Sequence, residues 1–410
     1  MKKHLLALSA AAVLLAPNAV GAEGFSINEW SAEGFGMGGA RMFAENDAAN
    51  MAYNPASLTK VQGEKAKVSL AYISPHGKWE ADNKYGIPGL ETSGHNRVNP
   101  AFAPGMYYTK QINDKEWLGM GTYARFGNMC QFERDSIVGS NAFSSRMNGV
   151  SLGMNYARKH DNKWSTSLGA EINYVGLQLD KNLGGVTPLH IEGTTWALGW
   201  NAAANYAFDD KNEFGVVFRS KVKHSMEGNY DIHNLSVDTP QGTVNVDKYG
   251  DAYGCVTLPE NWMLGYGHKF NDKTRMELNA TWTRWSRFDQ FNVYTDMGKL
   301  GGPKNWNDGW RYAIGIEHKL SDKYTLLAGM AHDERGIPDE TADFMVPTGE
   351  RDTYTLGIQY HDKKQTIAAS FGYMDVGDLN MTGHDTDLYK NAKMHDSYTK
   401  IVVLSYQYNF

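Results

Sequence analysis

Over residues 397–410, Tyr398, Val402, Leu404, Tyr406, Tyr408 and Phe410 alternate with smaller or polar residues. A period of two belongs to a β-strand, and it collects these side chains into one apolar row on one face of a sheet. Such a row must be buried against a core or sit in hydrocarbon. No other apolar stretch approaches the roughly 20 residues that a membrane-crossing helix needs. If this chain spans a membrane, the solution left to it is a closed barrel of strands, which leaves no backbone group unpaired in lipid.

Both ends of the chain agree with export to an outer membrane. A strand closing on Phe410 resembles the C-terminal signature of bacterial outer-membrane barrels. Residues 1–22 read as a secretory signal, with Lys2 and Lys3 ahead of an apolar stretch over 5–16 and the small residues Val20, Gly21 and Ala22 before Glu23. The net charge of -6 argues against nucleic acid as a partner. Eleven Trp, 23 Tyr and 16 Phe in a hydrophilic chain suit aromatic girdles at the two membrane interfaces. Cys130 and Cys255 are expected near the extracellular rims of strands, either joined as a disulfide or left as two free thiols.

Six short polar turns punctuate the chain: Asn113-Asp114-Lys115, Asp161-Asn162-Lys163, Asp209-Asp210-Lys211, Asn271-Asp272-Lys273, Ser321-Asp322-Lys323 and Asp362-Lys363-Lys364. Asn and Asp stabilise tight turns by bonding their own backbone, so these read as hairpin tips. Between tips lie roughly 40 to 60 residues, enough for two strands and a longer loop. With both ends of the barrel sequence on the periplasmic side, the turns predict an all-β, 14-stranded antiparallel transmembrane barrel. Trp196, Leu198, Trp200, Ala202, Ala204, Tyr206 and Phe208 are expected to face lipid, with Thr195, Gly199, Asn201 and Asn205 inward. Trp164, Leu168, Ala170, Ile172 and Tyr174 repeat the pattern, with Glu171 and Asn173 inward. A polar interior inside an apolar shell is a lumen, not a packed core.

The first strand is expected near Lys65, which divides the mature chain into an N-terminal segment over 23–64 and a barrel over 65–410. The segment is rich in Gly and Ala and lacks strand alternation. Asn46 and Asp47 before Ala48 suggest a helix cap, and Asn54-Pro55-Ala56 a second helical start. Phe25, Ile27, Trp30 and Phe35 would be wasted in a flexible tail, so the segment is expected to fill the bore as a small, partly helical hatch.

These motifs resemble the FadL/TodX family of outer-membrane transporters of long-chain fatty acids and other hydrophobic compounds. Gly24-Phe25-Ser26-Ile27-Asn28-Glu29-Trp30 is similar to the family's opening, and Asn46-Asp47-Ala48 with Tyr53-Asn54-Pro55-Ala56 to its hatch motif. The likeness continues through Phe218-Arg219-Ser220, Gly228-Asn229-Tyr230, Leu258-Pro259-Glu260 with Trp262, and Trp285-Ser286 with Phe288. It implies a monomeric barrel in the outer membrane of a Gram-negative bacterium, plugged by the hatch. An apolar ligand would be caught between extracellular loops, pass to an internal site, and leave sideways into outer-membrane lipid at a kink in strand three. Here Phe126, Gly127 and Asn128 are expected to form that kink, in a strand running from Trp117 to Phe126. The C-terminal strand would engage the barrel-assembly machinery.

Candidate ligand contacts are Phe25, next to the internal site of the family, and three inward cations, Lys181, Arg219 and Arg311. A cation in an apolar cavity suits a fatty carboxylate. The same parity sends Lys221 and Lys223 inward from strand seven. Glu171, Glu277, Glu317 and Asp47 share the lumen, so internal ion pairs that anchor the hatch are the competing role. The family's Phe-Lys-Asp is replaced by Trp306-Asn307-Asp308, which leaves an uncharged hydrophobic substrate as an alternative to a fatty acid. An open porin would need no hatch. No nucleophile motif accompanies the scattered histidines, and no cofactor or metal is expected.

Overall fold

The computed structural model describes residues 24–239 and 242–410; the expected signal over 1–22 lies outside them. Fourteen strands close into one antiparallel barrel. Strand 1 is Glu64–Ala81 and strand 2 Ala101–Asn113. Strand 3 comes in two pieces, Glu116–Tyr123 and Gly127–Gln131. Strands 4, 5 and 6 are Ser144–Lys159, Trp164–Leu183 and Thr187–Ala207. Strands 7 to 10 are each broken: Asn212–Arg219 and Val222–Thr239, Gly242–Leu258 and Asn261–Lys269, Thr274–Thr283 and Gln290–Thr295, Gly298–Pro303 and Gly309–Lys319. Strands 11 to 14 are Tyr324–Asp333, Arg351–His361, Gln365–Val376 and Ala392–Asn409. Strand 14 closes on strand 1, with Val402 opposite Tyr72, Leu404 opposite Leu70 and Tyr406 opposite Val68.

All six polar turns are hairpin tips, and their chemistry is visible. Asp161 Oδ1 accepts from the backbone N–H of Lys163 and Trp164 at 2.7 Å each, closing the chain before strand 5. Asp209, Asn271 and Asp362 do the same at their own tips. The faces fall as the alternation predicts. Trp196, Leu198 and Trp200 are exposed, whereas Glu171, Asn173, Asn201 and Asn205 are buried inside.

Two readings of the wall need correction. Strand three does not run unbroken to Phe126: it stops at Tyr123 and resumes at Gly127, so Phe126 belongs to the break and Gly127 and Asn128 open the second piece. From Tyr123 to Gly127 is four steps, facing three on strand 4 from Ser151 to Asn148, so one surplus residue bends the strand inward. Strand 4 makes room at Gly149, where an added Cβ would stand 2.4 Å from the Phe126 carbonyl oxygen. Lys221 and Lys223, expected in the lumen, are exposed on the outer face. Eight steps on strand 7, from Arg219 to Glu227, face seven on strand 6, from Asn201 to Thr194. That extra residue sends every side chain above it to the opposite face.

Residues 24–63 pack inside the ring. They form a helix over Ala32–Gly36, a second over Asn50–Tyr53, and a 3-10 helix over Pro55–Lys60. Asn54 caps the last as expected, accepting from the Ala56 N–H at 3.1 Å. Asp47 precedes the second helix by three residues instead of capping it, accepting from the Ala49 N–H at 2.9 Å. The first helix, capped by Ser31, escaped the sequence because five residues hold too little periodicity. Both cysteines are free thiols, Cys130 buried and Cys255 exposed.

Candidate functional site

At its periplasmic end the N-terminal segment is riveted to the wall by charges. Lys67 of strand 1 reaches inward to Glu33 and Asp47, each at 2.7 Å. Arg41 joins Asp47 at 3.2 Å to Glu317 of strand 10 at 2.8 Å, and Glu317 takes a second guanidinium from Arg275 at 2.9 Å. Burial drives the Asp47 carboxyl up, but Lys67 and Arg41 outweigh it and bring it down to about 2. Asn46 and Asn54 tie the segment further: Gln407 donates to the Asn46 carbonyl at 2.9 Å, and Asn54 Nδ2 to Asn205 at 2.6 Å. Pro55 and Ala56 are buried at the start of the 3-10 helix. Beneath lies a cavity of about 690 Å³ lined by Glu45, Lys65, Lys211 and Lys269. Its charged walls offer nothing to an apolar ligand.

Arg219 and Arg311 belong to this scaffold. Arg219 donates to Glu171 at 2.9 Å, to the Tyr123 hydroxyl at 3.1 Å and to the Ala52 carbonyl of the second helix. Arg311 pairs with Asp333 and donates to the Gly38 carbonyl at 2.9 Å. The void beside Arg311 measures about 10 Å³, room for one water and no more. Both cations, singled out for a ligand carboxylate, thus face a wall carboxylate and a plug carbonyl.

At the other end the segment meets the break in strand 3. The ladder between strands 2 and 3 ends at Met106–Thr122, and residues 101–105 of strand 2 pair with strand 1 alone. The break's backbone groups find partners inside: Ala124 O accepts from Trp30 Nε1 at 2.6 Å, Arg125 O from Ile27 N at 2.9 Å, and Gly127 N donates to Phe25 O at 2.8 Å. Chain residues 25–27 therefore act as the strand that the wall lacks there. Buried backbone groups must be paired, so the shape of the break depends on where this tip sits.

Phe25 is buried in a nest of rings, with Trp285 at 4.7 Å, Phe288 at 5.5 Å, Trp306 at 5.6 Å and Phe126 at 6.0 Å between centroids. Met147, Val175, Val222, Met226 and Leu258 extend the same apolar cluster into the outer half of the barrel. The indole N–H groups of Trp285 and Trp306 have no acceptor among the described residues. Sequence reasoning missed these two rings as site residues, although both lie in motifs compared with the family; they stand on the breaks of strands 9 and 10, which alternation does not describe.

Lys181 stands apart from both ends. It lines a cavity of about 250 Å³ on the extracellular side, between the tops of strands 5, 6, 9 and 10 and the loop after strand 11. Leu179, Ile191, Phe291, Val293 and Leu300 give its lining an apolar part, and Asn141, Glu340, His384 and Lys304, paired with Asp343, a polar one. Among the described residues no group of His, Cys, Asp or Glu is arranged to hold a metal.

A family model described as outer membrane protein transport protein (OMPP1/FadL/TodX) matches residues 13–410. The long-chain fatty acid transport protein of Escherichia coli K12 is 24% identical, with 98% of this chain and 97% of that protein covered. Outer membrane protein P1 of Haemophilus influenzae is 25% identical over 88% of this chain and 87% of its own. Among solved structures, a Pseudomonas aeruginosa FadL homologue superposes with a TM-score of 0.85 at 18% identity, covering 94% of this chain and 100% of the other. The Pseudomonas putida toluene transporter TodX does so with a TM-score of 0.74 at 17% identity, covering 93% and 99%.

Proposed function

Because the chain belongs to the OMPP1/FadL/TodX family of outer membrane transport proteins, we propose that it carries hydrophobic molecules in from the cell exterior by a route that ends sideways in the bilayer. The outer-membrane setting and hydrophobic cargo follow the relatives, which are named as transporters of long-chain fatty acids and of toluene. The route follows the family resemblance and is drawn here on this chain's own residues. A ligand enters the Lys181 cavity, moves down the apolar cluster to Phe25, displaces the tip, and leaves between strands 2 and 3. The plug over 24–63 blocks the aqueous path, and Arg219 and Arg311 hold it, while Glu64, expected at its end, already opens strand 1. The protein works as a monomer, and its C-terminal strand is the element for the assembly machinery to recognise.

One observation carries this reading: the break in strand 3 is paired by the tip and not by strand 2. Displacing the tip frees the seam next to the ligand's own cluster. Lateral release is also the cheaper direction, since each CH₂ kept out of water saves about 0.8 kcal/mol.

Deleting Ala124 gives strands 3 and 4 equal steps across the break and should straighten the wall. Uptake of a fluorescent acyl chain into proteoliposomes is expected to fall at least tenfold while the barrel still folds; undiminished uptake would sink the lateral route. An open porin is the second reading, and a large steady conductance from the intact protein would favour it.

A further inference from the structure

On strands 7 to 10 the outer face carries a row of rings in direct register: Phe218 opposite Trp262, Trp262 opposite Trp282, and Trp282 opposite Trp310. Trp200 of strand 6 packs on Phe218 at 4.9 Å. Rows of this kind mark the membrane interface. A strand tilted about 40° climbs about 2.5 Å per residue, so an apolar band about 25 Å tall ends about ten residues above its periplasmic turn. Lys221 stands nine residues above Asn212, and Arg284 ten above Thr274. Both therefore emerge where hydrocarbon gives way to the head groups of the outer leaflet.

Four cations gather at this height on neighbouring strands: Lys221 and Lys223 on strand 7, and Arg284 and Arg287 at the break of strand 9. Strand 8 lies between them and contributes one acid, Glu260, which takes Arg287 at 3.0 Å and Arg284 at 3.2 Å. Arg284 and the two lysines are exposed, and Arg287 partly so. The lysines have no ion-pair partner among the described residues. Asp308 lies near Arg287, and Glu227 stands two outward positions above Lys223. The opposite wall differs at the same height, where strands 12 and 13 present Asp352 and Asp375. The bulge in strand 7 is what makes the patch, because without its surplus residue both lysines would point into the lumen.

We propose that this patch binds the phosphorylated head group of an outer-leaflet lipid, with the acyl chains laid against Phe218, Trp262 and Trp200. Two lysines beyond the Glu260 pairings leave an excess of positive charge, and a phosphate offers the matching oxygens for charge-assisted hydrogen bonds. Trp rings directly beneath supply the apolar half of the same recognition.

The test is native mass spectrometry of the detergent-solubilised full chain titrated with diphosphorylated lipid A, dephosphorylated lipid A and inorganic phosphate. Wild type should hold the diphosphorylated lipid, and Lys221→Glu with Lys223→Glu should weaken it by about tenfold or more. Lys400→Glu, at matched height on strand 14, should leave binding unchanged. Equal retention of the dephosphorylated lipid, equal loss in Lys400→Glu, or saturation by inorganic phosphate alone would each overturn the proposal. Folding is checked by heat-modifiable migration on gels, and the Lys221→Gln with Lys223→Gln pair serves where the Glu pair does not fold.

Discussion

The two ends of the plug are equally buried and are held by opposite physics. At the base, Lys67, Asp47, Glu33, Arg41 and Glu317 form a chain of ion pairs in which Lys67 is the partner of both Glu33 and Asp47. At the tip, the Phe25 ring packs among other rings and aliphatic groups. An alkyl chain could take the place of the Phe25 ring at little net cost, since one apolar surface replaces another. Nothing short of a matched set of charges could replace Lys67. The difference is what the proposed route requires: a base that anchors and a tip that can exchange with cargo.

The sharpest way to break that contrast is Lys67→Met. It leaves the Glu33 carboxylate buried without its ion-pair partner and Asp47 with Arg41 only, a change that costs about 3–5 kcal/mol for a broken buried pair. The plug should loosen, seen as channel openings in planar bilayers that the wild type lacks. A silent bilayer would mean that the base is not the anchor. Phe25→Ala comes next. Truncating a Phe in an ordinary core costs about 3–5 kcal/mol of stability, but here the loss should fall on the ligand, with Kd weakened about tenfold and the unfolding midpoint little moved. A fall in midpoint as large as that of Lys67→Met would make the tip structural too.

Acid probes the base. The Asp47 carboxyl is held down to about 2 in the folded chain, against about 3.9 in an unfolded one. A depressed carboxyl contributes stability that is complete above its unfolded value and is lost as pH falls through the folded one. Conductance should therefore stay closed from pH 7 to about 4 and open progressively between about 4 and 2. Asp47→Asn should remove that acid step, and an unchanged step in the variant would assign it to another carboxylate.

How much of this was readable from residues alone follows the same division. Alternation and turn chemistry are local signals, and they yielded the wall, its closure and its inward faces, as with Trp196 outward and Glu171 inward. The break in strand 3 was expected at Phe126, Gly127 and Asn128 through the family resemblance, but those in strands 7 to 10 were not readable, because a bulge depends on how many residues face it on the neighbouring strand. Hence Lys221 and Lys223 were turned inward by a parity that one extra residue reverses. Arg219 and Arg311 were correctly placed inside, yet inwardness cannot tell a ligand from a plug carbonyl. That distinction needs the partner across the lumen, some 170 residues away in the case of Ala52 and Arg219.

The smallest expected effect bears on the cargo. Trp285 and Trp306 each keep an indole N–H without an acceptor among the described residues, in the cluster around Phe25. Leaving a donor unpaired costs about 1–3 kcal/mol, and a ligand bearing a carbonyl or carboxylate would recover part of it where a plain hydrocarbon recovers none. Trp306→Phe keeps a ring and removes the donor. Its stability should rise slightly or stay level, while affinity for an acyl ligand should drop about threefold to tenfold, the worth of one hydrogen bond of about 1 kcal/mol. Affinity for an arene without polar atoms should not change. Equal losses for both ligands would show that only the shape of the nest matters, and that the tip selects cargo by fit alone.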